Sequence, residues 1–196
     1  LLVVELLLQV EPAHARQTEV DHGAGRPPHR GSVWTPTTTA APTTTAAPPT
    51  GFPGDTSDKS GSGGIGLLTD VRFGDHEDYV RIVFDFQEPS FPHWEVGYEP
   101  GEVEGQIDPE GGWVDGEVFL IARFAPAGTA DIREADPVIT YDGPRRIDVG
   151  LGSVVQLLLI EDFEANLWWA IGLTGERPFR VGTMTDPPRI YVDVAY

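Results

Sequence analysis

Four ionisable side chains stand together at Asp75-His76-Glu77-Asp78, a grouping that could ligate a metal or move a proton. Calcium needs oxygen ligands at alternating positions, a glycine at the bend and a distal carboxylate. "DHEDY" supplies neither that spacing nor that last ligand. Zinc sites are built from several imidazoles or thiolates, yet the cluster holds one His and the chain has no Cys. Gly74 and Asp75 are turn formers, so the cluster reads as the solvated turn of a hairpin, with a place on a binding rim as the alternative.

Other chemistry is equally sparse. Beyond residue 64 the serines are Ser90 and Ser153, neither in a Gly-x-Ser-x-Gly elbow, and the histidines are His76 and His93; no nucleophile, base and orienting acid stand out. Carboxylate pairs able to hydrolyse a glycoside are not singled out in a chain with 31 acidic residues. Two Arg/Asp couples are more suggestive. Arg81 with Asp85, and Arg189 with Asp193, sit four residues apart on one side of an extended segment, placed either for cross-strand ion pairing or for holding a polar ligand. Trp94, Trp113, Trp168 and Trp169 offer aromatic faces that pack in a core or stack on a sugar ring. Trp168 and Trp169 are adjacent, so in a strand they must point to opposite sides.

The elements that carry these residues are strands. In "VRIVFDF", Val80, Ile82, Phe84 and Phe86 alternate with Arg81, Val83 and Asp85, as a strand with one buried face requires. Comparable runs at 67–73, 94–98, 118–124, 154–161, 167–173, 178–184 and 189–195 bring the expectation to eight strands, with Pro- and Gly-rich loops at 99–117 and 125–153 and a short extra strand near 145–149. "RIVFDF" (81–86) and "RIYVDV" (189–194) share Arg-Ile-x-x-Asp-x, and each follows a strand and an acidic turn. Two related hairpins predict an all-β fold, a β-sandwich of two roughly symmetric antiparallel sheets whose apolar faces meet.

Residues 16–64 contrast with this pattern. They are rich in Thr, Ala, Pro, Gly and Ser, include the duplicated "TTTAAPTTTAAP" at 37–48, and are short of the large apolar side chains that offset the entropy of ordering. They are expected to be a disordered linker, with a typical end-to-end distance of roughly 40 Å as a coil. Thr and Pro at this density resemble the glycosylated stalks of exported proteins. "LLVVELLLQV" is too short and too interrupted by Glu5 to span a bilayer. With Ala13-His14-Ala15 behind it, it gives residues 1–15 the look of the tail of a secretion signal. A net charge of −18 argues against nucleic acid, whose binding needs phosphate neutralisation by Lys and Arg, and against anionic membranes.

"GLLTDVRFGDHEDYVRIVFDF" and "EDFEANLWWAIGLTGERPFRVGTMTDPPRIYVDV" resemble the AMIN-like domain of actinobacterial secreted proteins and lipoproteins, a relative of the AMIN (amidase N-terminal) domain, over roughly residues 65–196. Their most specific pieces are "DYVRIVFDF", "WAIGL" with "PFRV", and "DPPRIYVDV". The resemblance implies a non-enzymatic β-sandwich without a cofactor, secreted or associated with the cell envelope. The implied partner is peptidoglycan or another cell-wall glycan. The chain departs from the lipoprotein layout in having no Cys. The expected function is therefore a wall-binding module on a flexible stalk. Its polar face would be Arg81, Asp85, Arg189 and Asp193, with Trp113 and Trp168 as rim contacts. A structural or protein-partner domain of an envelope complex is the alternative, and a carboxylate-based glycan hydrolase is less favoured.

Overall fold

The computed structural model describes residues 51–105, 112–133 and 135–196; the signal reading of residues 1–15 and the linker reading of 16–50 lie outside them. Thirteen strands follow in chain order among the described residues: β1 (Lys59–Gly61), β2 (Gly66–Asp75), β3 (Tyr79–Phe86), β4 (His93–Glu99), β5 (Val118–Ala125), β6 (Ala127–Gly128), β7 (Ala130–Asp131), β8 (Val138–Ile139), β9 (Arg146–Leu151), β10 (Val154–Phe163), β11 (Asn166–Leu173), β12 (Phe179–Thr185) and β13 (Pro188–Ala195). They form a six-stranded sheet in the order β1-β4-β5-β11-β10-β9, a five-stranded sheet in the order β12-β13-β3-β2-β6, and the small β7-β8 pair. Pairing is antiparallel except between β2 and β6. The eight patterned runs and the short run near 145–149 all form strands.

The two large sheets enclose one core. Phe84 of β3 meets Phe124 of β5 edge-on with ring centroids 4.9 Å apart and lies 6.1 Å from Trp169 of β11, while Phe86 meets Phe124 at 5.5 Å. These rings come from opposite sheets, so the alternation of β3 is satisfied only by the facing layer. β10 departs from alternation with a nearly continuous apolar run, "VVQLLLI", because both its faces are covered. Leu157 and Leu159 enter the main core, whereas Leu158 and Ile160 join a second cluster with Val114, Phe119, Ile121 and Ala170 on the outer side of the six-stranded sheet.

The echoed segments turn out to be neighbours. β3 and β13 pair antiparallel in the middle of the five-stranded sheet, with Arg81 opposite Asp193 and Asp85 opposite Arg189. The repeat thus relates the β2–β3 hairpin to the β12–β13 hairpin within a single sheet. It reaches further back than the six echoed residues: the spacing that separates Arg81 from Arg189 also separates Arg72 from Arg180 and Gly74 from Gly182.

Residues 51–64, assigned to the linker by composition, instead form a strap along one side of the sandwich. Asp55 bridges to Phe179, β1 pairs with β4, and Gly64 bridges to Pro92. Composition misleads here because the strap is fastened by backbone pairing, and its glycines serve close approach. A Cβ on Gly63 would stand well inside van der Waals contact with the carbonyl oxygens of Phe91 and Pro92, backbone atoms that cannot swing aside. Gly63→Ala is therefore expected to destabilise the domain by about 1–3 kcal/mol, measured by denaturant unfolding of the full chain.

Candidate functional site

Period-two geometry puts Tyr79, Arg81, Val83 and Asp85 on the outer face of β3, and the register with β13 adds Arg189, Tyr191 and Asp193 beside them. The flanking strands contribute Arg72 opposite Val83 on β2 and Arg180 opposite Asp193 on β12. Two triads result. Arg81 grips Asp193 through both ends of its fork, Nε to Oδ1 at 2.6 Å and Nη2 to Oδ2 at 2.9 Å, while Arg180 donates Nε to Oδ2 at 2.7 Å. In the other triad Arg189 donates Nε to Asp85 Oδ1 at 2.7 Å and Arg72 donates Nε to Oδ2 at 2.6 Å.

In each triad the carboxylate lies beneath and the guanidiniums stand above. The Asp193 side chain is fully buried and that of Asp85 is 14% exposed, whereas Arg72, Arg81, Arg180 and Arg189 keep 30–48% of their side chains accessible. A carboxylate on the outer side of a sheet tolerates such burial only because charge-assisted bonds replace its water. The bond to Asp193 also raises the Arg81 pKa above its ordinary value, outweighing the opposite effect of burial.

The triads share a pattern but differ in cover. Arg81 lies 4.2 Å from the Tyr191 ring centroid and 5.5 Å from that of Tyr79. Arg180 lies 5.3 Å from Phe52 and 5.1 Å from Tyr79. Phe52 belongs to the strap, so the start of the described chain helps to close the Asp193 half. No aromatic ring of the described residues lies over Arg72 or Arg189. Arg189 commits only its Nε to Asp85, leaving both Nη groups without a protein partner among the described residues. The open half is therefore the part of the face equipped to take up an anion or a hydrogen-bond acceptor.

Of the six residues singled out by sequence, Arg81, Asp85, Arg189 and Asp193 come together here. Trp113 and Trp168 do not. Trp168 points out from the six-stranded sheet, packs against the second apolar cluster and carries the Arg123 guanidinium 5.3 Å from its ring centroid, while Trp169 is wholly in the core, as adjacency in a strand requires. Trp113 is 54% exposed on the loop before β5. Arg72, Arg180, Phe52, Tyr79 and Tyr191 were not anticipated; a longer comparison of the two hairpins would have exposed both arginines.

Both serines beyond residue 64 and His93 are occupied in bracing. Ser153 Oγ donates to the Ala195 carbonyl at 2.9 Å, Ser90 Oγ to that of Ile65 at 2.8 Å, and His93 Nδ1 accepts the Gly63 N–H at 3.2 Å. The Asp75–Asp78 cluster is the β2–β3 turn: the His76 ring stacks on Tyr79 with centroids 4.5 Å apart, and the Tyr196 hydroxyl bonds to the Asp75 carboxylate and the His76 carbonyl. Among the described residues no three His, Asp or Glu side chains converge as a metal site would require.

Truncating Asp193 would leave two guanidiniums facing each other in a half-buried site. Asp193→Ala is expected to cost about 3–5 kcal/mol, and Asp85→Ala less because its site is more open to water, as urea unfolding of the two variants would show.

Comparison with known proteins gives one family: the AMIN-like domain, matched over residues 66–196. No curated protein and no solved structure gives a significant match.

Proposed function

The chain belongs to the AMIN-like domain family, and we propose that it is a non-enzymatic binding module of the cell envelope that contacts peptidoglycan or another wall component. Contact is made through the arginine-lined outer face of the five-stranded sheet, and the Thr/Pro-rich segment before the domain acts as the stalk that lets it reach. The observation carrying this reading is the pair of Arg–Asp–Arg triads, with acids below and guanidiniums accessible above. In a chain of net charge −18 a face built this way is a local exception. It suits a polymer whose peptide stems bear carboxylates and amide oxygens, since the guanidinium fork matches both. The use of Ser90, Ser153 and His93 as braces favours binding over bond cleavage.

A protein-partner role is supported by a separate feature. β6 pairs with β2 only at Gly66 and Leu67, so residues 68–75 of β2 have no strand neighbour on that side among the described residues, an edge to which an extended partner segment could add.

Incubating the full chain with insoluble peptidoglycan separates these ideas. Co-sedimentation is expected, without release of soluble muropeptides. Arg189→Ala should lower the bound fraction per folded molecule about five- to tenfold, while melting falls less than in Asp85→Ala, because Arg72 still pairs with Asp85. Release of muropeptides would indicate a hydrolase. Absence of both binding and release would leave the edge-strand role.

A further inference from the structure

Trp113 presents a problem that the sheet face does not solve: a large aromatic side chain is held more than half exposed by a loop that is unusually well fastened. Val114 N–H bonds to the Val103 carbonyl at 3.0 Å and Asp115 N–H to Gln156 Oε1 at 3.2 Å. Arg146 Nη1 donates to the Trp113 carbonyl at 3.1 Å and to Gln156 Oε1 at 2.7 Å. Gln156 is 2% exposed, and its amide nitrogen is taken up by Asp148 at 2.8 Å and Asp115 at 3.2 Å. Gly172 of β11 lets the Asp115 carbonyl press onto the strand where a Cβ would clash. The buried Gln156 amide thus has both acceptor and both donor positions taken, which fixes the groups around it, so the Trp113 backbone is set before any ligand arrives, which lowers the cost of binding.

Beside Trp113 lies a cavity of about 360 Å³ with Val114, Val118 and Phe119 among its apolar walls and Glu102 and Glu117 among its polar ones. Its volume falls within the range of roughly 300–1,000 Å³ that accepts small molecules. Glu99, also in the wall, is neutralised by Arg123. Glu102 and Glu117 have no cationic partner among the described residues. We propose that this cavity binds an organic cation: an ammonium group carried on a sugar or alkyl body, its charge between the two carboxylates and its body against the indole. Trp is the aromatic face best suited to a cation, and the acidic chain raises the local concentration of cations while repelling anions. This site lies on the six-stranded sheet and does not depend on the wall-binding reading.

The test is a titration of the isotopically labelled full chain, followed by amide NMR, with choline and with its neutral isostere 3,3-dimethyl-1-butanol. Choline should shift signals from residues 99–105 and 112–119 saturably, and the isostere should not. Glucosamine against N-acetylglucosamine separates the two sources of ammonium: stronger binding of glucosamine than of choline assigns an amino sugar, and the reverse an alkylammonium. Trp113→Ala should weaken choline about tenfold and the Glu102→Gln/Glu117→Gln double variant about fivefold. Trp113→Phe, which keeps a ring on the loop, should retain intermediate affinity, so the pair of carboxylate variants and this one decide the matter even if the Ala variant disturbs the loop. Equal shifts from choline and its isostere, shifts that map elsewhere, or unchanged binding in the folded variants would overturn the proposal.

Discussion

Two carboxylates sunk on the outside of a sheet, Asp193 fully buried and Asp85 largely so, each between two guanidiniums, are the constraint on which the rest of this structure turns. A one-residue slip between β3 and β13 would send every apolar side chain to the wrong face. A two-residue slip would keep the faces but set Asp193 opposite Val83 and Asp85 opposite Tyr191, leaving both acids without their cross-strand arginine. Apolar packing alone separates the first error from the native pairing far better than the second. The ion pairs supply the missing discrimination, which is the best-attested role of buried charge. With β3 and β13 locked, β2 and β12 follow through their hairpins, each bringing one more arginine to the same two acids.

The same constraint explains why the face can be both structural and receptive. A lone exposed ion pair contributes little, but a sunken acid shared by two arginines fixes both guanidiniums while using only part of their donor capacity. Around Asp193 the spare capacity is masked by Tyr79, Tyr191 and Phe52, and the site acts as a clasp that also receives the strap of residues 51–64. Around Asp85 it is left open. Two chemically similar triads thus differ in cover because the chain at Phe52 wraps one side of the sheet and not the other.

Most of the fold was legible because its strands obey period two and are punctuated by Pro, Gly and Asp. The arginine face was half legible: Arg81, Asp85, Arg189 and Asp193 lie on strands whose alternation is plain. Arg72 and Arg180 needed the register across two hairpins, which no single strand reveals. The strap was hidden because apolar content measures what a segment can bury for itself, whereas residues 51–64 are held by hydrogen bonds to edges already formed. The four tryptophans beyond residue 64 could not be ranked from composition, since local pattern does not reveal that Trp113 is held out on a braced loop while Trp168 packs against the second apolar cluster.

The central claim is that the Asp85 triad meets a ligand of the wall while the Asp193 triad does not. It is tested most directly by following the arginine Nε–Hε signals of the full chain as soluble peptidoglycan fragments are added. The account predicts perturbation of Arg72 and Arg189 with Arg81 and Arg180 nearly unmoved; equal movement of all four, or changes confined to the edge of β2, would contradict it.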